Sequence, residues 1–105
     1  LSDQTRIKSL KSLIASLPKE DVYRLVPELC RSLEKTWSPR REDINSLLKM
    51  TTGLTVELRR NDPVERLAEA VEKYREFYYT KLKQHIPEMD DKLLKEPFGD
   101  IGKGN

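Results

Sequence analysis

The sequence predicts an all-α fold, a single compact bundle of four to five main helices with a long C-terminal helix and a flexible tail. Apolar residues recur at three- and four-residue spacings, which place them on one face of a helix. Proline or a capping residue bounds the apolar stretches, and Gly53 is the only glycine in the first 98 residues, which leaves few sites for tight hairpins. A chain of 105 residues has the length for one modest core. We expect a helical domain over residues 1–95 and a flexible tail over residues 96–105.

The first predicted helix starts after Ser2 or Asp3 and ends before Pro18, because proline lacks the N–H that a helix interior requires. Its apolar face comprises Ile7, Leu10, Leu13, Ile14 and Leu17. A second stretch follows, and its apolar face comprises Val22, Leu25, Val26, Leu29, Cys30, Leu33 and Trp37. Pro27 lies inside this second stretch, so the sequence predicts either a kink or a break into a short helix and a longer one.

Ser38 and Pro39 predict the start of the next helix, since serine is a good N-cap and proline suits the first helical position. The apolar side of this helix comprises Ile44, Leu47 and Leu48. Gly53 is its expected stop, because glycine readily adopts the left-handed conformation that ends many helices. Residues 54–60 are predicted to form a short helix of two turns that directs its apolar side chains into the core.

The long helix is predicted to begin at Pro63, with Asp62 as its N-cap and Glu65 completing a capping box. Its apolar face comprises Val64, Leu67, Ala68, Val71, Tyr74, Tyr78 and Leu82. One common core is expected to include Leu29, Leu33, Leu67 and Val71. The apolar pattern ends before Pro87, and residues 90–95 are expected to add one more turn.

Residues 47–60, which read Leu-Leu-Lys-Met-Thr-Thr-Gly-Leu-Thr-Val-Glu-Leu-Arg-Arg, lie just before Asp62, Pro63 and the long helix. This arrangement resembles the N-terminal domain of transcription elongation factor TFIIS and its relatives, including the integrase-binding domain of a chromatin-tethering coactivator. The resemblance implies a helical adaptor that captures short disordered motifs of transcription and chromatin proteins. It also implies a nuclear location and no catalysis.

The balance of charge argues against a protein that binds polyanions through its overall field. The chain carries 20 basic and 18 acidic residues, so its net charge is only +2. Its single cysteine, Cys30, cannot form an internal disulfide, which favours a reduced intracellular setting. No apolar run has the length of a membrane span, so no membrane association is expected. The chain starts without methionine, which is typical of a fragment of a longer protein.

No residue pattern predicts catalysis, and the sequence indicates no metal site and no cofactor. His85 is the only histidine, and no serine or cysteine nucleophile lies in a recognisable signature. A polar residue in the last turn of a helix is the simpler explanation of His85, and a small buried apolar residue is the simpler explanation of Cys30. We therefore expect a protein that is not an enzyme.

Two arginine pairs and one serine are candidate recognition residues. The pairs, Arg40-Arg41 and Arg59-Arg60, meet on one side of the bundle if the helices that carry them pack head to tail. They then form a solvated surface, a site for an acidic peptide or a site for nucleic acid. Ser38 is followed by proline and two arginines, so it is either a plain N-cap or a phosphorylation site at a helix start.

Three aromatic residues lie off the centre of their apolar faces. Tyr23, Phe77 and Tyr79 are candidates either for a second internal contact or for a partner-binding surface. The candidate partner-binding set is therefore Gly53, Leu54, Arg59, Arg60, Tyr23, Phe77 and Tyr79.

The expected function is a non-enzymatic adaptor or scaffold module that binds a short acidic or amphipathic motif of a partner protein. A helical domain that binds nucleic acid and a homo-oligomerisation domain are the alternatives, although the balanced charge disfavours nucleic acid. An intracellular location is expected, and a nuclear one if the family resemblance holds.

Overall fold

The architecture of the chain is all-α, as predicted. A computed structural model describes residues 3–35 and 38–99, and no strand is present in these ranges. The helices are α1 (Asp3–Ser16), α2 (Lys19–Tyr23), α3 (Val26–Lys35), α4 (Ser38–Thr52), α5 (Val64–His85) and α6 (Asp91–Lys95). The long C-terminal helix is thus confirmed, with four main helices and two of only five residues.

All six helices are connected by packing contacts. The short α2 packs against α4 and α5, α3 packs against both α4 and α5, α1 packs against α4, and α6 packs against α5. The Cα radius of gyration is 13.6 Å, close to the value of about 13 Å expected for a compact domain of about 100 residues. The bundle is therefore compact, with α4 and α5 at its centre.

The second predicted helix is broken rather than kinked. Leu25 donates its N–H to the Val22 carbonyl between α2 and α3, and Pro27 is the second residue of α3. Proline costs little there, because the first N–H groups of any helix have no intrahelical acceptor. Trp37, which we placed on the same apolar face, lies outside the described residues.

The core joins residues from every helix in one cluster, as expected for Leu29, Leu33, Leu67 and Val71. Leu33 and Val71 are fully buried. The apolar face of α1 meets the core only in part, because Ile14 is buried whereas Leu13 is 46% exposed. Helix α1 is thus a peripheral helix that packs against α4.

The apolar face predicted for α5 is correct from Leu67 onward and wrong at two positions. Val64 is 66% exposed, because it lies in the first turn, beyond the buried part of the face. Ala68 is also exposed, since it is out of phase with the buried Leu67 and Val71, and Ala70 is buried in its place.

The predicted capping box at the start of α5 is wrong. The helix begins at Val64, one residue later than expected, and no side chain caps it. The Asp62 carboxylate instead accepts the N–H of Arg59 at 2.8 Å, and the Pro63 carbonyl accepts the N–H of Arg66 at 3.0 Å. Asp62 therefore closes the turn before the helix rather than the helix itself.

The short helix predicted over residues 54–60 is absent. Residues 53–59 form neither helix nor turn, and burial alternates along them, with Val56 and Leu58 buried and Thr55 and Glu57 exposed. Alternation with a period of two is typical of an extended chain. The side chain of Asn45 donates to the Val56 carbonyl at 2.9 Å and so holds the segment in this conformation from α4.

The predicted boundary at residue 95 is too early. Phe98 is only 1% exposed and contacts Tyr78 and Tyr79, with ring centroids 5.2 and 5.7 Å away. The Pro97 carbonyl accepts a hydrogen bond from the Arg31 guanidinium of α3 at 3.2 Å. The domain therefore includes residues 96–99, and the rest of the predicted tail lies outside the described residues.

Gly53 ends α4 as predicted, in the left-handed conformation with φ +75°. A Cβ built at this position meets nothing within 4 Å, so any cost of a larger residue comes from the backbone alone. We expect Gly53→Ala to lower the free energy of unfolding by about 1–2 kcal/mol in denaturant titrations. Gly53→Asn is the matched control and should cost less, because asparagine tolerates this conformation. An unchanged midpoint for the alanine variant would show that the corner relaxes to a negative φ.

Candidate functional site

The two arginine pairs meet on one side of the bundle, but Arg41 of the first pair is used to hold the fold together. The Arg41 guanidinium donates to the Asp62 carbonyl at 2.8 Å and to the Arg60 carbonyl at 3.4 Å. The Arg60 N–H in turn donates to the Glu42 carboxylate at 3.1 Å. Arg41 and Glu42 thus fasten the turn before α5 to α4, while Arg59 and Arg60 are exposed.

The three off-centre aromatic residues all make internal contacts. The Tyr23 and Phe77 rings meet edge to face with centroids 5.3 Å apart, which ties α2 to α5. Tyr79 packs on Phe98. Phe77 and Tyr79 are nevertheless only half-buried, so each also keeps part of its ring at the surface.

An open cleft of about 360 Å³ lies between the extended segment 54–57 and helix α5. On the segment side it is lined by Leu54, Thr55 and Val56, and on the α5 side by Lys73, Glu76, Phe77, Thr80 and Lys81. A smaller cleft of about 180 Å³ continues from it toward the start of α5, past Glu57, Arg66, Glu69 and Ala70. The two share Thr55, Val56 and Lys73, and we call the whole trough the α5 groove.

The α5 groove has an apolar part and a basic part at the same end. Leu54 and Phe77 supply the apolar surface, and Lys81 places its Nζ atom 5.8 Å from the centre of the Phe77 ring. Two lysines, Lys73 and Lys81, and only one carboxylate, Glu76, line this cleft. The local charge therefore favours an anionic group beside an apolar one.

The other end of the α5 groove carries no excess of charge. Arg66 and Glu69 lie one turn apart on α5, with Nη1 and Oε2 3.6 Å apart, and Glu57 faces them from the extended segment. An exposed pair of this kind contributes little to stability. The excess of positive charge in the groove therefore lies at the end near Phe77.

The candidate residues are divided between two clefts. Leu54 and Phe77 line the α5 groove, whereas Gly53 and Tyr23 line a separate cleft of about 400 Å³ at the C-terminal end of α4. Arg59 and Arg60 line neither. In the separate cleft, the hydroxyl groups of the adjacent Thr51 and Thr52 donate to carbonyls of their own helix at 2.8 Å.

Thr55, Lys73 and Lys81 also line the groove, although they were not among the candidates predicted from the sequence. The two lysines fall on a polar face of α5 and carry no sequence signal of their own. They join Leu54 only because the segment after Gly53 is extended and lies over α5. A long-range contact of this kind leaves no periodic pattern that could have revealed it.

The single cysteine, Cys30, is buried in the core, whereas the single histidine, His85, is exposed. Burial raises the pKa of the Cys30 thiol to about 12, and the nearby Glu34 adds to this effect while Arg75 opposes it. The thiol therefore stays protonated at neutral pH and is a poor nucleophile. His85 lies at the surface with Nδ1 3.9 Å from a carboxylate oxygen of Glu20.

In the part of the chain that the structure describes, no group of three or more histidine, cysteine or acidic side chains converges as metal ligands would. None of the described helices combines the length and the apolar character needed to cross a membrane. Ser38 is the first residue of α4, but its side chain lies outside the described residues, so the phosphorylation site stays a prediction.

Comparison with known proteins gives no relative from which a function could be transferred. No protein-family model, curated protein or solved structure matches this chain significantly.

Proposed function

We propose that this chain is a protein-interaction module without catalytic activity, which binds a short acidic or amphipathic motif of a partner protein in the α5 groove. One observation carries the proposal, namely that an apolar surface and two lysines share one open cleft. Leu54 and Phe77 form that surface, and Lys73 and Lys81 lie beside it.

Binding depends on an apolar anchor and on flanking carboxylates. An apolar side chain of the partner displaces water from Leu54 and Phe77, which supplies most of the affinity. A carboxylate next to that anchor pairs with Lys73 or Lys81 and sets the direction of the peptide in the groove. Because only a few side chains take part, the affinity is expected to be moderate and dependent on salt.

The class of partner follows from the family resemblance. That resemblance implies capture of short disordered motifs of transcription and chromatin proteins, so we propose that the partner is nuclear. Imaging of the tagged chain in cells tests this location independently of peptide binding. A chain excluded from the nucleus would leave the groove proposal standing but remove this class of partner.

The experiment is a selection of short random peptides displayed on phage against the whole chain, followed by titration of the selected peptide. We expect enrichment of an apolar residue with aspartate or glutamate close to it. The double variant Lys73→Glu, Lys81→Glu should bind that peptide at least about tenfold more weakly, since two attractive charges become repulsive.

The control is the double variant Lys8→Glu, Lys11→Glu on α1, which alters exposed lysines far from the groove in sequence. Each replacement lowers the net charge by two, so both double variants carry −2 where the parent carries +2. Equal losses of affinity in the two variants would mean that overall charge, not the groove, attracts the peptide. A selection without any binder would contradict the proposal, as would a chain that binds oligonucleotides or dimerises at the Phe77 surface instead.

A further inference from the structure

We propose that the partner motif binds in an extended conformation and adds as a β-strand along residues 54–58, with its backbone paired to Thr55 and Glu57. This inference rests on the proposed function, because it concerns the ligand of the same α5 groove. It goes further in specifying the backbone conformation of that ligand and the groups that recognise it.

The first support is the unused hydrogen-bonding capacity of the segment. Among the described residues, the N–H groups of residues 55–58 donate no hydrogen bond, and the carbonyls of Thr55 and Glu57 accept none. Backbone groups of this kind are paired in most proteins, usually within secondary structure. A run of unpaired groups on an extended segment is a template for another strand.

The second support is the direction of these groups. The Val56 carbonyl faces α4, where it accepts from Asn45. Successive backbone groups of an extended chain point to opposite sides, so the N–H and carbonyl groups of Thr55 and Glu57 point away from α4. Thr55 lines both parts of the α5 groove and Glu57 lines the smaller part, so the free edge borders the groove.

The third support is that the segment is held firmly on the side that faces α4. The side chains of Val56 and Leu58 are buried, and the Asn45 side chain that holds Val56 is itself only 3% exposed. A strand held in advance loses little conformational freedom on pairing, which favours this mode of recognition.

These features also define the ligand. A helical peptide satisfies its own backbone and cannot use the free groups of Thr55 and Glu57, whereas an extended peptide can. Side chains of an added strand alternate between the two faces, so only every second residue faces the groove. We therefore expect an apolar residue opposite Leu54 and Phe77, with an acidic residue two positions away that reaches Lys73 or Lys81.

The test uses Thr55→Pro, which removes one N–H from the free edge. Because the Thr55 side chain is exposed, the replacement does not change the core. Its matched control is Thr55→Ala, which keeps the N–H. Titrated with the selected peptide, the proline variant should bind about three- to tenfold more weakly, the value of one net hydrogen bond. The alanine variant should bind like the parent.

A second measurement needs no variant of the chain. Methylation of one peptide amide at a time should weaken binding at alternate positions only, because every second amide of an added strand faces Thr55 and Glu57. This scan stays informative even if the proline variant fails to fold.

The outcomes separate the two proposals. Losses that follow a three- to four-residue spacing, together with tighter binding of a helix-stapled peptide, would overturn strand addition and leave the groove proposal intact. Equal binding by both Thr55 variants, combined with no loss from methylation, would overturn strand addition as well. A peptide that is insensitive to charge reversal of Lys73 and Lys81 would instead contradict the proposed function.

Discussion

Replacing Leu33 with alanine is expected to lower the free energy of unfolding by about 2–5 kcal/mol, because a buried isobutyl group is lost and a cavity remains. Leu33 is fully buried on α3, which packs against both α4 and α5. Because α3 packs against two other helices, we expect little of the cavity to close. Denaturant titration followed by circular dichroism measures the change.

The matched control is Leu93→Ala on α6. Leu93 is 60% exposed, so this replacement removes the same atoms from a surface position. Its free energy of unfolding should stay within about 0.5 kcal/mol of the parent value. If Leu33→Ala melted like Leu93→Ala, α3 would not contribute its apolar face to the core, and the packing of the bundle described above would be wrong.

The parts of the fold that could be predicted from sequence are those determined by neighbouring residues. Pro18 and Gly53 end helices by their own backbone restrictions, and Asp90 caps α6 by accepting the N–H of Lys92 two residues later. The apolar face of α5 from Leu67 onward also follows from local spacing. None of these local features depends on a distant partner.

The predictions that were wrong depend on residues far apart in the chain. Residues 54–60 include apolar positions that suit a short helix. However, Asn45, 11 residues before Val56, donates a hydrogen bond to the Val56 carbonyl and keeps the segment extended. Phe98 follows a short helix near three glycines, so its neighbours suggest a tail. It is buried because Tyr78 and Tyr79 provide an aromatic surface about twenty residues earlier in the chain.

Two residues of the candidate site could be predicted from the sequence, but the arrangement of the site could not. Leu54 and Phe77 were both candidates, and the structure places them in one cleft. Two other candidates close to Leu54 in the sequence, Gly53 and Arg59, do not line that cleft. A loop has no periodicity that fixes its path over a helix, so the set of residues that faces one groove becomes apparent only in three dimensions.

The buried side chain of Asn45 connects the core to the proposed binding edge. It accepts a hydrogen bond from the Tyr74 hydroxyl of α5 and donates one to the Val56 carbonyl of the extended segment. All three residues are at most 4% exposed. Burial also raises the pKa of the Tyr74 hydroxyl well above its usual range, so the hydroxyl remains a donor at any physiological pH.

Asn45→Ala is therefore expected to lower the free energy of unfolding by about 2–6 kcal/mol. It leaves two buried polar groups without a partner, the Tyr74 hydroxyl and the Val56 carbonyl, and each costs about 1–3 kcal/mol. The measurement is again denaturant unfolding. Tyr74→Phe is the matched comparison and should cost less, because it keeps the bond between Asn45 and Val56 that holds the segment.

The two variants should also differ in peptide binding. Where Asn45→Ala still folds, the extended segment loses the hydrogen bond that joins Val56 to α4, so the selected peptide should bind more weakly. Tyr74→Phe should bind the peptide like the parent, since its segment stays in place. If Asn45→Ala bound the peptide as tightly as the parent, the conformation of residues 54–58 would not matter for recognition, and the added strand would lose its basis.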